Sequence, residues 1–168
     1  MEKTVFEGGG THERRLISWQ PPPQDWVCLN TDGSVTHSPS STAVGGIVRG
    51  NDGRFVRAFT MNLGGGSITR AELAGIVQGL KLAWELGARK VILQTDSLIE
   101  KTLIETASHH HPHFFAIAEI WRWLQLPWQV RIDHVFREGN YFADYLASIG
   151  HNYPIGVHVF DTTSSALA

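Results

Sequence analysis

The apolar positions of this chain change period as it runs, and each change marks an element. Trp26 to Val35, Ala43 to Arg49 and Arg54 to Asn62 are three successive strand-type runs. The second and third are joined by Gly50-Asn51-Asp52-Gly53, a hairpin-turn composition. In "SITRAELAGIVQGLKLAWELG" the period becomes helical, with Leu73, Ile76, Val77, Leu80, Ala83 and Trp84 on one face and Gly87 placed to stop the helix. A short apolar strand from Lys90 to Thr95 follows, then a helix expected to turn Ile99, Thr102, Leu103 and Thr106 to one side. A loop at 108–113, a helix ended by Pro127, the alternating strand "WQVRIDHVF" and a helix from Tyr141 to Ile149 complete the pattern. Three antiparallel strands followed by alternating strand and helix predict an α/β fold, a mixed sheet flanked by helices.

Outside this pattern, residues 1–18 mix glycine and charge without periodicity and are expected to form a flexible lead-in. The domain then runs from 19 to 150, opened by the extended Pro-rich "WQPPPQDW". Residues 151–168 read as a C-terminal tail with one apolar stretch, "YPIGVHVF", and a frayed end.

Composition narrows the class. A chain of 168 residues suits one domain and can bury about 70% of its unfolded surface. Apolar content of 42% with 18% charged residues describes a soluble globule. No run approaches the ~18 apolar residues of a membrane span, and "MEKTVFEGGG" lacks a signal-peptide core, so no membrane partner is expected. The single cysteine, Cys28, excludes an internal disulfide and fits a reducing location, nucleus or cytoplasm. A monomer is expected. The net charge of −2 argues against a broadly basic nucleic-acid binder while leaving room for a local basic groove.

Four acids occupy positions that secondary structure alone does not ask for. Asp32 interrupts the strand "LNTDGSV", where it is either a turn residue with Gly33 or a ligand. Glu72 could complete a capping box with Thr69, or face a site. Asp96 closes a strand expected at the sheet's centre, and Ser97-Leu98-Ile99-Glu100 supplies its own capping box, so capping does not require Asp96. Asp144 lies four residues after Asn140, the expected N-cap, already inside a helix where Asp is a poor former. Open α/β sheets place their sites at the carboxyl ends of strands, which is where Asp96 falls. Carboxylates converging there repel one another, and a hard divalent cation resolves the conflict. An oxygen-only set suits Mg²⁺, with Mn²⁺ as substitute, far better than Zn²⁺. Two such ions can clamp the attacking and leaving oxygens of a phosphodiester.

"NTDGS", "TRAEL", "TDS" and "HVFREGNYFADYLA", in this order and spacing, resemble the type 1 ribonuclease H family, most nearly its plant reverse transcriptase-like members. The likeness runs from about Trp19 to Gly150. The resemblance implies a five-stranded ribonuclease H-like sheet and hydrolysis of the RNA strand of RNA–DNA hybrids, leaving 5′-phosphate and 3′-hydroxyl ends. It implies that Asp32 bridges two Mg²⁺ ions, that Glu72 and Asp96 complete the leaving-group ion, and that Asp144 completes the ion generating the nucleophile. Gly33 and Ser34 are similar to the backbone contacts that sense RNA 2′-hydroxyls. Thr69, Arg137 and Asn140 join them as expected substrate contacts, the last two beside Asp144 at the phosphate. The resemblance is also compatible with the chain being part of a larger reverse transcriptase-derived polypeptide.

The chain departs from the family at several points. Ile68 and Thr69 stand where members with full substrate contacts carry an Asn pair, and Leu98 stands where a hydrogen-bonding Gln is frequent. The basic handle is absent, residues 102–128 holding one basic residue, Arg122, and "FREGNYFAD" is too short for the loop that carries a His. These losses bear on hybrid affinity and rate, and they keep a rival open: a low-activity or non-catalytic binding module of retroelement origin. Another polynucleotidyl hydrolase on the same scaffold is the third reading. His109, His110, His111 and His113 read as a plain loop, because Pro112 breaks any helical pairing. Trp121, Trp123 and Trp128 read as core, and His134 as a packed structural histidine.

Overall fold

The computed structural model describes residues 3–7 and 14–161, with side chains from Trp19 onward. Strands β1 (Lys3–Glu7) and β2 (Arg14–Ser18) precede β3 (Val27–His37), β4 (Ser40–Arg49) and β5 (Phe55–Gly64). Then come α1 (Ile68–Glu85), β6 (Lys90–Thr95), α2 (Leu98–Thr106), α3 (Phe114–Leu124) and β7 (Gln129–His134). A 3₁₀ turn (Arg137–Asn140), α4 (Tyr141–Gly150) and β8 (Gly156–Asp161) close the chain. The main sheet has the order β7-β6-β3-β4-β5-β8. Strands β3, β4, β5 and β8 pair antiparallel, whereas β6 runs parallel to both β3 and β7. This is the expected mixed sheet flanked by helices, with six strands instead of five.

Successive residues of β3 point to opposite faces, and that alternation separates the two layers of helix. On one face α1 sets Leu73, Ile76 and Leu80 against Leu29, Val44, Val48 and Phe59, all fully buried or nearly so. Burying each such side chain contributes roughly 1.5–3 kcal/mol. The other face is covered by α4, whose Leu146 packs with Ile47, Ala58 and Phe160. There the helix backbone comes so close that a Cβ at Gly45 of β4 would meet the backbone of Ala147 and Leu146. Trp121, Trp123 and Trp128 pack partly buried against the α1-side core, as expected, with the Trp121 indole N–H donating to the Ile104 carbonyl at 2.8 Å.

Three expectations are corrected. The lead-in holds the regular antiparallel pair β1–β2, with Lys3 opposite Ser18 and Glu7 opposite Arg14. Five-residue strands that satisfy each other leave too short an alternation to read. Residues 1–2, 8–13 and the expected frayed end at 162–168 lie outside the described residues. The tail contributes β8, so the sheet extends to Asp161. Its signal is the alternation of exposed Val157 and Val159 with His158 and buried Phe160. Helix α2 buries Glu100 and Ile104, while Ile99 is exposed, so its inner face is rotated from the one the apolar spacing suggested.

Candidate active site

The four acids meet at one edge of the main sheet. Asp32 sits in β3 opposite Gly45 of β4 and points to the α4 face. Asp144, in the first turn of α4, lies within hydrogen-bonding reach of it. Asp96 follows β6 directly, at the carboxyl end of an interior parallel strand. Glu72 comes from the opposite layer, and Gly33 lets it through: a Cβ at Gly33 would lie 2.5 Å from the Glu72 Cγ and 2.9 Å from the Ile68 Cδ1. The missing side chain at 33 is therefore what leaves room for Glu72 in this position. Of the two readings open for Glu72, the capping box with Thr69 is not formed. Ser67 is the N-cap of α1, its hydroxyl accepting from the Arg70 N–H at 3.2 Å, which leaves Glu72 two residues past the position that reaches back. In α2 the expected N-cap Ser97 is found, accepting from the Glu100 N–H.

The carboxyls perturb one another. Burial pushes the Asp32 carboxyl up to about 7, and the charges of Asp96 and Asp144 add to it, while the Gly33 N–H, donating to Oδ1 at 2.8 Å, opposes them. Glu72 is pushed up to about 9, chiefly by burial, then by the Glu100 carboxyl within hydrogen-bonding reach, then by Asp32 and Asp96. Asp96 is raised by burial, with its own backbone N–H, the Arg137 guanidinium and His134 pulling the other way and Asp144 adding to the rise. Among the described residues no three His, Cys, Asp or Glu side chains are drawn together into a ready coordination shell.

Glu100 is the acid that sequence reasoning assigned to a cap. Its side chain is 2% exposed and its Oε2 has no hydrogen-bond partner. Replacing Glu100 by Gln supplies an amide N–H to the Glu72 carboxylate in place of a second carboxyl. The expected result is a Glu72 carboxyl that ionises at lower pH in Glu100→Gln than in wild type, read by carboxyl-carbon NMR titration of the metal-free protein. An unchanged Glu72 titration would contradict the contact.

Two other expected residues turn out differently. Asn140, expected at the substrate, is fully buried. It makes no side-chain cap either: its amide donates to the Thr31 carbonyl at 2.9 Å and accepts from the Asn30 amide at 3.1 Å. Asn30 in turn donates to Gln94 Oε1, which also takes the Trp19 indole N–H at 3.1 Å. This network ties the turn that carries Arg137, and hence the start of α4 and Asp144, to β3 and β6. His134 is exposed at the end of β7, where parallel pairing with Thr95 brings its Nε2 to 3.1 Å from the Asp96 carbonyl oxygen. It belongs to the site's rim rather than to the core. Arg137 is exposed beside Asp96, and Gly33, Ser34 and Thr69 are half-buried around the acids. The histidines of 108–113 form a loop, as read, with the His113 N–H donating to His111 Nδ1 at 3.1 Å.

The chain resembles known proteins along most of its length. It is 37% identical over 155 residues to an Arabidopsis thaliana protein described as a ribonuclease H protein, covering 92% of this chain and 25% of that one. The chain thus spans about a quarter of that relative's length. RNase H1 from the archaeon Halobacterium salinarum superposes with a TM-score of 0.70 at 24% identity, over 76% of this chain and 98% of that one. A compost-derived RNase H1 solved in complex with an RNA/DNA hybrid gives 0.64 at 18% identity, over 71% and 92%. The family described as reverse transcriptase-like matches residues 30–150. With the sheet order and this match in agreement, the chain belongs to the reverse transcriptase-like family and has the ribonuclease H fold.

Proposed function

We propose that this domain is a metal-dependent endonuclease that hydrolyses the RNA strand of RNA–DNA hybrids, leaving 5′-phosphate and 3′-hydroxyl ends. The observation that carries the reading is the meeting of Asp32, Glu72, Asp96 and Asp144 at one sheet edge, within electrostatic reach of one another. The raised proton affinities of Asp32, Glu72 and Asp96 mark a site with more carboxylate than the protein itself neutralises, and an oxygen-only donor set of this kind fits Mg²⁺, with Mn²⁺ as substitute. Asp32 would be shared between two ions, Glu72 and Asp96 would hold the one on the leaving-group side, and Asp144 the one on the nucleophile side. When bound, the ions supply the positive charge that activates water and neutralises the departing oxygen.

The chain's own residues do the positioning. The Gly33 N–H fixes one Asp32 oxygen. Ser34 and Thr69 flank the acids where a ribose would lie, and exposed Arg137 faces a phosphate beside Asp96. The buried Asn140 amide holds the turn beneath it. The proposed working form is a monomeric domain, alone or within a longer reverse transcriptase-derived polypeptide, in the nucleus or cytoplasm. One observation favours the rival low-turnover binding module: the Glu72 carboxyl is engaged with Glu100.

Labelled RNA–DNA hybrid, duplex RNA and duplex DNA, each with Mg²⁺, Mn²⁺ or chelator, separate the readings. Hybrid is expected to be cut and duplex DNA left intact, with chelator abolishing cleavage. Equal cutting of DNA duplex and hybrid overturns the proposal, and hybrid bound but uncut selects the module. Binding is expected to depend only shallowly on salt, because each phosphate neutralised contributes a slope of ~0.9 and few cations border the site. Arg137→Ala is expected to lower affinity and reduce that slope by about 1. Single changes at His109–His113 are expected to do less, and a larger loss from any of them would contradict the placement of the phosphate.

A further inference from the structure

Ser34, two residues beyond Asp32 on the same face of β3, is not a free hydroxyl. His151, the C-cap of α4, bridges it to a second serine: Nε2 lies 2.9 Å from Ser34 Oγ and Nδ1 2.9 Å from Ser41 Oγ. The three groups belong to three elements, β3, the start of β4 and the end of α4. The register makes the bridge possible, because Thr36 pairs with Ser41 and Ser34 with Ala43, which puts the two serines diagonally on one face. The same stripe of α4 carries Asp144, seven residues or two turns earlier, over Asp32. One helix therefore sets both the acid and the hydroxyl that flank the place where a ribose would sit.

We propose that His151 is a positioning residue for sugar selection: it fixes the rotamer and the donor or acceptor sense of the Ser34 hydroxyl that meets the 2′-hydroxyl of the RNA strand. This rests on the proposed hybrid-nuclease reading. A serine hydroxyl rotates and can donate or accept, so alone it discriminates poorly between ribose and deoxyribose. A neutral imidazole donates from one ring nitrogen and accepts at the other. With both nitrogens engaged, one serine must donate to the ring and the other must accept from it. Ser34 then offers a ribose only the hydrogen-bonding capacity that the ring leaves it, and offers it in one direction. Ser41 serves as the far anchor that keeps the ring from turning.

The test is the ratio of cleavage rates on an all-ribose RNA strand and on a strand with a single 2′-deoxy nucleotide at the scissile position, each paired with DNA, in Mg²⁺. His151→Leu is expected to lower that ratio about five- to tenfold, the loss of one oriented hydrogen bond. His151→Gln is expected to restore most of it, because its amide also offers one donor and one acceptor at neighbouring atoms. In a Ser34→Ala background, His151→Leu is expected to change the ratio no further, since coupled residues act as a unit. Circular-dichroism melting of each variant separates lost selectivity from lost fold. If the wild type cuts hybrid while His151→Leu keeps its ratio, or if Gln does not rescue a folded variant, this inference falls alone. If the wild type cuts no hybrid, the proposed function falls and takes the inference with it.

Discussion

Asp32→Asn is expected to abolish hydrolysis and, in metal-free protein at pH 8, to raise stability. Asp32 is the acid that both Asp96 and Asp144 act upon, and burial with their charges holds its carboxyl up at about 7 from an ordinary value of 3.8. At pH 8 the wild type must keep that carboxylate ionised against its surroundings. Asparagine preserves the shape, removes the charge and keeps an oxygen to accept the Gly33 N–H. Allowing for its partial exposure, the gain is about 1–2 kcal/mol. Cleavage of hybrid is expected to fall on the order of a thousandfold or more, because the residue shared between both proposed ions is lost. Saturating Mg²⁺ is expected to raise the wild-type melting temperature by mass action and the variant's much less. A variant that melts lower than wild type without metal, or that still cleaves, would place Asp32 back in a turn.

The same carboxyls fix the direction of the pH dependence. A carboxyl whose affinity for protons is higher in the folded protein than in the unfolded chain makes the folded state bind more protons between the two values, so stability falls as pH rises through that window. For Asp32 the window runs from 3.8 to about 7, and for Glu72 from 4.5 to about 9. Metal-free wild type is therefore expected to melt progressively lower as pH climbs from about 4 to about 9, with the steepest fall where both windows overlap. Mg²⁺ is expected to flatten the upper part of that profile. Melting curves across this range, with and without Mg²⁺, read the effect directly.

The sheet and its helices were legible because most apolar residues follow the period of the element they build. Leu73, Ile76, Leu80 and Ala83 are buried as their spacing required, and Gly87 follows the C-cap of α1. The acids were legible for the opposite reason, since Asp32 and Asp144 violate that local logic. What escaped were residues with a plausible local role that is not the one the structure gives them. Glu100 and Asn140 both read as helix-cap residues, yet one is buried against Glu72 and the other ties the last turn to β3. His134 and His151 are single polar residues in short elements, and only the parallel register of β6 with β7 and the crossing of α4 over β3 bring them to the site. β8 was missed because its alternation is short and its outward valines are exposed. Long-range pairing is the common cause: no local window contains both partners.

Two glycines on neighbouring strands, Gly33 of β3 and Gly45 of β4, are expected to fail in different ways when given a methyl group. At Gly45 the added Cβ meets backbone, the amide nitrogen of Ala147 and the Leu146 main chain, and a helix backbone cannot step aside as a side chain can. Gly45→Ala must lift α4 from the sheet, opening the contact of Leu146 with Ile47, Ala58 and Phe160. The cost is expected at about 3 kcal/mol, near the upper end for overpacking, or a fall of roughly 6–12 °C in melting temperature. At Gly33 the Cβ meets only side-chain atoms, the Glu72 Cγ and Oε1 and the Ile68 Cδ1, which can rotate away. Gly33→Ala is expected to cost about 1 kcal/mol or less of stability but to swing Glu72 out of the acid cluster, lowering hybrid cleavage on the order of a hundredfold. Thermal melting and hybrid cleavage measured on both variants give the contrast: Gly45→Ala loses fold first, Gly33→Ala loses activity while still folded. A Gly33→Ala protein with wild-type cleavage would mean that the position of Glu72 does not matter to the chemistry.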